Sequence, residues 1–163
     1  MLAIRVAAVV AVSALTLTAQ APFPGLQSSA PRGKAAVAYL FPEQVTVAAG
    51  KPSAVDLHFR VSDGLHVNSH TPHTEDLIPT TLKLKDAAVQ LSKVDYPVGR
   101  DFAFDVDLKE KLNVYTGEFI VHAEFVAVKG DHLVEATLRY QACDNSTCMP
   151  PRSIPVAIDV IAK

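Results

Sequence analysis

Apolar and polar residues alternate with a period of two along most of the chain after Ala36. Successive side chains of a β-strand point to opposite faces of the sheet, so such alternation predicts strands with one buried face. The alternation is clearest in four segments, 55–61, 119–126, 134–141 and 154–160. Weaker strands are predicted at 37–40, 45–48, 82–85 and 89–94.

Turn-forming residues separate these segments about every ten residues, as in all-β domains. Lys129-Gly130-Asp131 is predicted to be a hairpin connection between two of the strong strands. A helical period is only marginal, at 105–112. Many short antiparallel strands without helices predict an all-β fold, an immunoglobulin-like β-sandwich formed by a single domain at 36–163.

The N-terminus differs from the rest of the chain. Arg5 is its only charge, an apolar run covers 6–12, and Ala19-Gln20-Ala21 has the small residues of a cleavage site. This pattern is typical of a secretory signal peptide, predicted at 1–21. The next segment, 22–35, is rich in Pro, Gly and Ser without an apolar period, and it is predicted to be a flexible leader.

Composition and charge narrow the possible functions. The 163 residues include 15 Lys and Arg against 17 Asp and Glu, a net charge of -2, and they form no basic run. This balance argues against a nucleic-acid partner. The chain also lacks the serine-hydrolase elbow, the phosphate-binding glycine loop and the zinc-protease helix motif. No cofactor and no small-molecule substrate are expected.

The two cysteines, Cys143 and Cys148, are the strongest chemical signal in the sequence. In an exported protein two cysteines most often pair, and Asp-Asn-Ser-Thr between them favours a turn near the surface at a sheet edge or loop tip. A ring of six residues adds only about 2 kcal/mol to stability by chain entropy, so a redox role competes with a structural bridge. Zinc binding is a third alternative, although two more ligands are needed.

Two sequence motifs resemble a known family. Tyr140-Gln141-Ala142-Cys143 followed by Cys148-Met149-Pro150-Pro151 resembles the cysteine signature of the N-terminal periplasmic domain of the thiol-disulfide interchange protein DsbD. The segments 64–69 and 77–80 are similar to bacterial relatives of that domain, and the resemblance extends from Tyr39 to Val160. The chain departs from the family pattern at Ala142, at Met149 and in a cysteine loop that is one residue shorter.

The resemblance implies an immunoglobulin-like domain in the periplasm that acts as a thiol-disulfide oxidoreductase component. It implies Cys148 as the attacking cysteine and Cys143 as the resolving one. The expected partners are exported thioredoxin-like or disulfide-isomerase-like proteins and a separate membrane electron donor. The family covers its cysteines with a cap loop, for which Phe102, Phe104 and Leu108 are candidates here, and the alternative is that Phe102 and Phe104 alternate into the core as strand residues. A binding or scaffold domain with a structural disulfide is the alternative.

Three histidines, His66, His70 and His73, lie within eight residues of one another. Neutral imidazoles bind copper or zinc, so the cluster is a weak candidate metal site and the basis of a third hypothesis, a metal carrier. Turn-forming residues surround His70 and His73, which favours incidental loop histidines. The sequence therefore predicts no metal at this position.

Overall fold

The computed structural model describes residues 35–41, 44–104 and 107–163, without the side chains of 104 and 107–110. Twelve strands occur in the described part of the chain, and no helix does. In chain order they are β1 (Val37–Tyr39), β2 (Gln44–Val47), β3 (Ser53–Val61), β4 (His66–Asn68), β5 (Thr81–Leu84), β6 (Val89–Asp95), β7 (Arg100–Phe104), β8 (Asp107–Tyr115), β9 (Glu118–Ala127), β10 (Gly130–Tyr140), β11 (Ala142–Cys143) and β12 (Arg152–Ala162).

Two four-stranded sheets share one apolar core. Sheet A has the order β1-β3-β9-β6, and sheet B has the order β2-β12-β10-β5. The inward positions of β3 and β9 in sheet A, and of β10 and β12 in sheet B, belong to the same cluster of buried residues. Two sheets that bury their inner faces against each other form a β-sandwich, which confirms the predicted all-β fold.

The four strong strands form as the alternation predicts. In β3 the residues Val55, Leu57, Phe59 and Val61 are buried, whereas Asp56 and its alternate neighbours face outward or are half-buried. The four weaker strands are also present, as β1, β2, β5 and β6. One pairing differs from the antiparallel expectation, because β2 lies parallel to β12 at the edge of sheet B.

A third sheet, sheet C, has the order β11-β4-β8-β7 and carries the cysteine segment. None of its strands is among the eight predicted segments. β4 follows β3 after a turn in which Gly64 has a φ of 77°, a left-handed conformation that glycine adopts without steric cost. β7 and β8 form an antiparallel pair, in which Phe102 opposes Leu112.

Two local predictions are wrong. Lys129-Gly130-Asp131 does not close a hairpin, because β9 pairs with β3 and β6 whereas β10 pairs with β12 and β5. The connection therefore crosses from sheet A to sheet B. The marginal helical window at 105–112 is strand from Asp107 onward, because β8 pairs with both β4 and β7.

The predicted signal peptide at 1–21 and the predicted leader at 22–35, except for its last residue, lie outside the described residues. The domain boundary therefore remains a prediction, while the described residues from 35 to 163 belong to one compact unit. In the described part of the chain, no helix is long and apolar enough to cross a membrane.

Candidate functional site: a disulfide at the edge of sheet C

Cys143 and Cys148 form a disulfide with a sulfur–sulfur distance of 2.01 Å. Cys143 ends β11, and the chain returns through a turn that brings the two Cα atoms to 4.0 Å from each other. Backbone hydrogen bonds surround the ring. The Met149 N–H donates to the Ala142 carbonyl at 2.8 Å, and the Asp144 N–H donates to the Thr147 carbonyl at 3.0 Å.

The Asp144 side chain caps the turn between the cysteines. Its Oδ1 accepts hydrogen bonds from the Ser146 N–H at 2.8 Å, the Ser146 hydroxyl at 3.0 Å and the Thr147 N–H at 2.8 Å. These bonds favour the ionised carboxylate and hold the pKa of Asp144 below its usual value. The turn-forming role expected for this type of residue is therefore confirmed.

The two cysteines differ in exposure. Cys143 has an exposed fraction of 0%, whereas Cys148 is partly exposed and follows three exposed residues. The expectation that both cysteines lie near the surface is thus wrong for Cys143. β11 is an edge strand of sheet C, as expected, but Cys143 is a paired strand residue opposite His66 and not part of the loop tip.

The Gln141 side chain holds the residues around the disulfide in place by hydrogen bonds. Its Oε1 accepts hydrogen bonds from Asn68 Nδ2 at 3.0 Å and from the Ile78 N–H at 3.1 Å. Its Nε2 donates to the Met149 carbonyl at 3.3 Å. One side chain therefore joins β4, the 77–80 segment and the residue that follows Cys148. The sequence motif contained Gln141, but its spacing gave no sign of this role.

His66 and Phe102 lie beside the disulfide segment. His66 is directly opposite Cys143 in the pairing of β4 with β11 and has an exposed fraction of 2%. The half-buried Phe102 ring lies against the His66 imidazole with a centroid distance of 4.1 Å and an interplanar angle of 36°. Burial lowers the pKa of His66, and the nearby Asp144 carboxylate partly offsets that effect. His66 belongs to the family-like segment 64–69, where the sequence allowed a packed strand residue as well as a weak metal ligand, and the structure shows the packed strand residue.

The predicted cap segment is the hairpin of β7 and β8. Of its three candidate residues, Phe102 is brought to His66 and hence to the strand that pairs with Cys143. The Phe104 backbone pairs with Asp107, but the side chains of Phe104 and Leu108 lie outside the described part. Whether these residues act as a cap remains a prediction.

The three histidines of the cluster have separate partners. His70 stacks on Tyr96 with a centroid distance of 3.8 Å, and its Nδ1 lies 3.0 Å from the Thr80 carbonyl. His73 Nε2 lies 3.1 Å from Asp101 Oδ1. Among the described residues, no group of three or more His, Cys, Asp or Glu residues could hold a metal ion.

Comparisons with known proteins identify the family of this chain. The chain matches the family "Thiol:disulfide interchange protein DsbD, N-terminal" over residues 36–158. It is similar to the crystal structure of the Neisseria meningitidis DsbD N-terminal domain in the reduced form, with 21% identity, a TM-score of 0.46, and coverage of 68% of this chain and 79% of that chain. No curated protein matches significantly.

A second solved structure supports the fold. The N-terminal periplasmic domain of ScsB from Proteus mirabilis is 12% identical, with a TM-score of 0.53 and coverage of 69% of this chain. The match spans 42% of that ScsB chain. The family match covers most of this chain and includes both cysteines and the strands of all three sheets. The chain therefore belongs to the DsbD N-terminal family of thiol-disulfide interchange domains, with the immunoglobulin-like β-sandwich that its alternating strands predicted.

Proposed function

We propose that this protein passes electrons between partner proteins by cycling the Cys143–Cys148 pair between disulfide and dithiol. The observation that carries the proposal is the unequal exposure of the two cysteines. Cys148 is partly exposed at the end of a solvent-facing turn, whereas Cys143 is buried beside it. A partner thiolate can approach Cys148, while Cys143 stays shielded from the partner and is available to resolve the mixed disulfide.

In the direction that reduces this protein, a partner thiolate attacks Cys148 Sγ. A bond forms between the partner sulfur and Cys148, the Cys143–Cys148 bond breaks, and Cys143 leaves as a thiolate. A second partner thiol then attacks the mixed disulfide and departs with an oxidised pair. Two electrons have entered this protein, and each of its sulfurs ends as a thiol or thiolate. Transfer to an acceptor is the reverse sequence, with Cys148 attacking and Cys143 resolving.

A purely structural role for the disulfide is less well supported. Closing a ring of six residues contributes about 2 kcal/mol by chain entropy. Most large side chains of the main apolar cluster come from β3, β9, β10 and β12, and neither cysteine belongs to that cluster. The sandwich therefore has a core that does not depend on the bridge. We expect the reduced protein to remain folded.

The partners follow from the same proposal. We infer that exported thioredoxin-like or disulfide-isomerase-like proteins exchange with the pair, and that a membrane protein supplies the electrons. The ScsB structure is described as a periplasmic domain, and the N-terminal sequence predicts export. Both support a periplasmic location for this protein.

The proposal is tested by two matched single-cysteine variants. The Cys143→Ser protein keeps the partly exposed Cys148, and the Cys148→Ser protein keeps the buried Cys143. Each is incubated with a thioredoxin that lacks its resolving cysteine and whose remaining cysteine is held as a mixed disulfide with nitrothiobenzoate. Attack by the variant's thiolate forms the protein–protein disulfide and releases the nitrothiobenzoate thiolate, and the adducts are counted on non-reducing gels. We expect Cys143→Ser to form the adduct much faster. Equal or reversed reactivity would contradict the assigned roles.

A second measurement distinguishes the electron-relay function from a scaffold function with a structural disulfide. The wild-type pair is equilibrated against graded glutathione buffers, and its thiol content is read by alkylation while unfolding is followed on both redox forms. A relay pair equilibrates within the glutathione range and loses only about 2 kcal/mol of stability on reduction. If reduction occurs only together with unfolding, the disulfide is structural and the scaffold function replaces the relay.

A further inference from the structure

His66 is placed beside the resolving cysteine by the strand register. β4 and β11 are antiparallel, and His66 is the direct partner of Cys143. Directly opposed residues on antiparallel strands have Cβ atoms about 4.5–5.5 Å apart on the same face. The exposed fractions are 2% for His66 and 0% for Cys143, so both side chains are excluded from bulk water. An imidazole is therefore within reach of the buried sulfur.

The buried Cys143 thiol must lose its proton before it can react, and the His66 imidazole can accept that proton. Only the thiolate form of Cys143 can attack the mixed disulfide, and an apolar environment disfavours that charged form. We propose that His66 is the proton acceptor and donor for Cys143. It takes the thiol proton when the disulfide closes, and when the disulfide opens it takes up a proton from water or from the partner thiol and passes it to the sulfur. The inference rests on the proposed exchange function, because a permanent bridge never carries a proton.

The surroundings of His66 suit a base. Its buried position keeps the imidazole neutral at neutral pH, and the neutral form accepts a proton. The Phe102 ring from β7 packs on the imidazole and restricts its orientation. Asp144, in the turn after β11, is the charged group that acts on His66 among the side chains described, and its carboxylate stabilises the imidazolium that forms.

The closing step starts from the mixed disulfide. Cys148 is bonded to the partner sulfur, and Cys143 is a thiol. The proton of Cys143 moves to the His66 imidazole, and the Cys143 thiolate attacks Cys148 Sγ. The Cys143–Cys148 bond forms, the bond from Cys148 to the partner breaks, and the partner leaves as a thiolate with the electron pair. The imidazolium then releases its proton to water or to the departing thiolate.

The test is a rapid-mixing experiment on the reduced, full-length protein with excess dithiobis(nitrobenzoate), a small aromatic disulfide. Attack by Cys148 releases one coloured thiolate, and closure by Cys143 releases a second. For His66→Phe, which keeps an aromatic ring but has no nitrogen, we expect the second phase to slow by about 10²-fold at pH 7. The slowing should be much smaller at pH 9.5, where hydroxide can take the thiol proton in place of the imidazole.

His70→Phe is the matched control, because His70 is also an imidazole stacked on an aromatic ring but pairs with Tyr96 away from β11. We expect its two phases to match those of the wild type. Equal closure rates for His66→Phe and wild type at all pH values would overturn the inference. A slowing that is the same at pH 7 and pH 9.5 would also overturn it, since that result indicates a structural role.

A second variant of His66 and a direct titration of the Cys143 thiol test the same role independently. If His66→Phe does not fold, His66→Gln replaces it, with the same expected pH dependence. In the Cys148→Ser protein, ultraviolet absorbance of the thiolate reports the apparent pKa of Cys143, and we expect loss of the imidazole to raise that pKa. If the wild-type protein shows no second phase at all, the proposed exchange function fails together with this inference. A normal wild-type second phase with an unaffected His66→Phe removes only the inference.

Discussion

The contact between Phe102 and His66 predicts how fast the disulfide is reduced. If the hairpin of β7 and β8 covers the cysteine segment, a partner thiolate reaches Cys148 only when that contact opens. The Phe102→Ala substitution removes the ring that lies 4.1 Å from the imidazole. We expect the folded protein to keep its sandwich, because Phe102 is half-buried in sheet C and outside the main apolar cluster.

The magnitude follows from the energy of one aromatic pair. Such a pair contributes about 0.5–1.5 kcal/mol beyond the area it buries. Losing that amount raises the open population by roughly 2- to 13-fold, since 1.4 kcal/mol corresponds to a factor of ten. When opening and closing are fast compared with attack, the rate of reduction rises by the same factor.

The assay is the pseudo-first-order rate of reduction by dithiothreitol at pH 7, read by alkylation of the released thiols. Phe41→Ala is the control, because Phe41 also contacts a histidine, His58, at a centroid distance of 5.5 Å, but next to sheet A. We expect Phe102→Ala to be reduced faster and Phe41→Ala at the wild-type rate. An unchanged rate for Phe102→Ala would refute the idea that this hairpin restricts access.

Three further predictions concern stability. Leu138→Ala removes a fully buried side chain of β10 and should lower the free energy of unfolding, measured in urea, by about 2–5 kcal/mol. Leu133, on the same strand, is 69% exposed, and Leu133→Ala should change that free energy by less than about 0.5 kcal/mol. Gly99→Ala would place a Cβ 2.1 Å from Asn113 Oδ1, and we expect a loss of about 1–3 kcal/mol by the same measurement. The folded-state pKa of His66 is below 6.5, so the folded protein binds fewer protons than the unfolded chain. The neutral His66 imidazole therefore contributes stability above pH 6.5, and this contribution is lost as the pH falls through the folded-state pKa. We expect the urea midpoint of His66→Phe to depend less on pH in this window than that of the wild type. An equal pH dependence in the two proteins would contradict the lowered pKa of His66.

The sandwich could be predicted because its strands carry their own signal. Each of β3, β9, β10 and β12 has one buried and one outward face, so a period of two is visible along the chain. The same local rule says nothing about which strands pair. It therefore missed that Gly130 joins two sheets and that β2 pairs in parallel with β12.

Most of sheet C could not be predicted, although it forms the candidate site. Only the spacing of Phe102 and Phe104 indicated a strand there, now β7. All three residues of β4 and both residues of β11 are buried, so no alternation marks them. Their position depends on contacts between distant parts of the chain, such as the hydrogen bond of Asn68 to Gln141 across 73 residues. The cysteines and His66 were visible as residue types, but their alignment on opposite strands is a property of the folded chain.

The backbone frame around the disulfide has a consequence for the lifetime of any adduct. The hydrogen bonds from Met149 to Ala142 and from Gln141 to Met149 involve no sulfur, so breaking the disulfide leaves them in place. The two thiols then remain neighbours, and closure of the ring is an intramolecular reaction. Effective molarities for well-oriented groups reach about 10⁵–10⁸ M. A partner joined to Cys148 is therefore released quickly, and we expect complexes with this protein to be observed only when Cys143 has been removed.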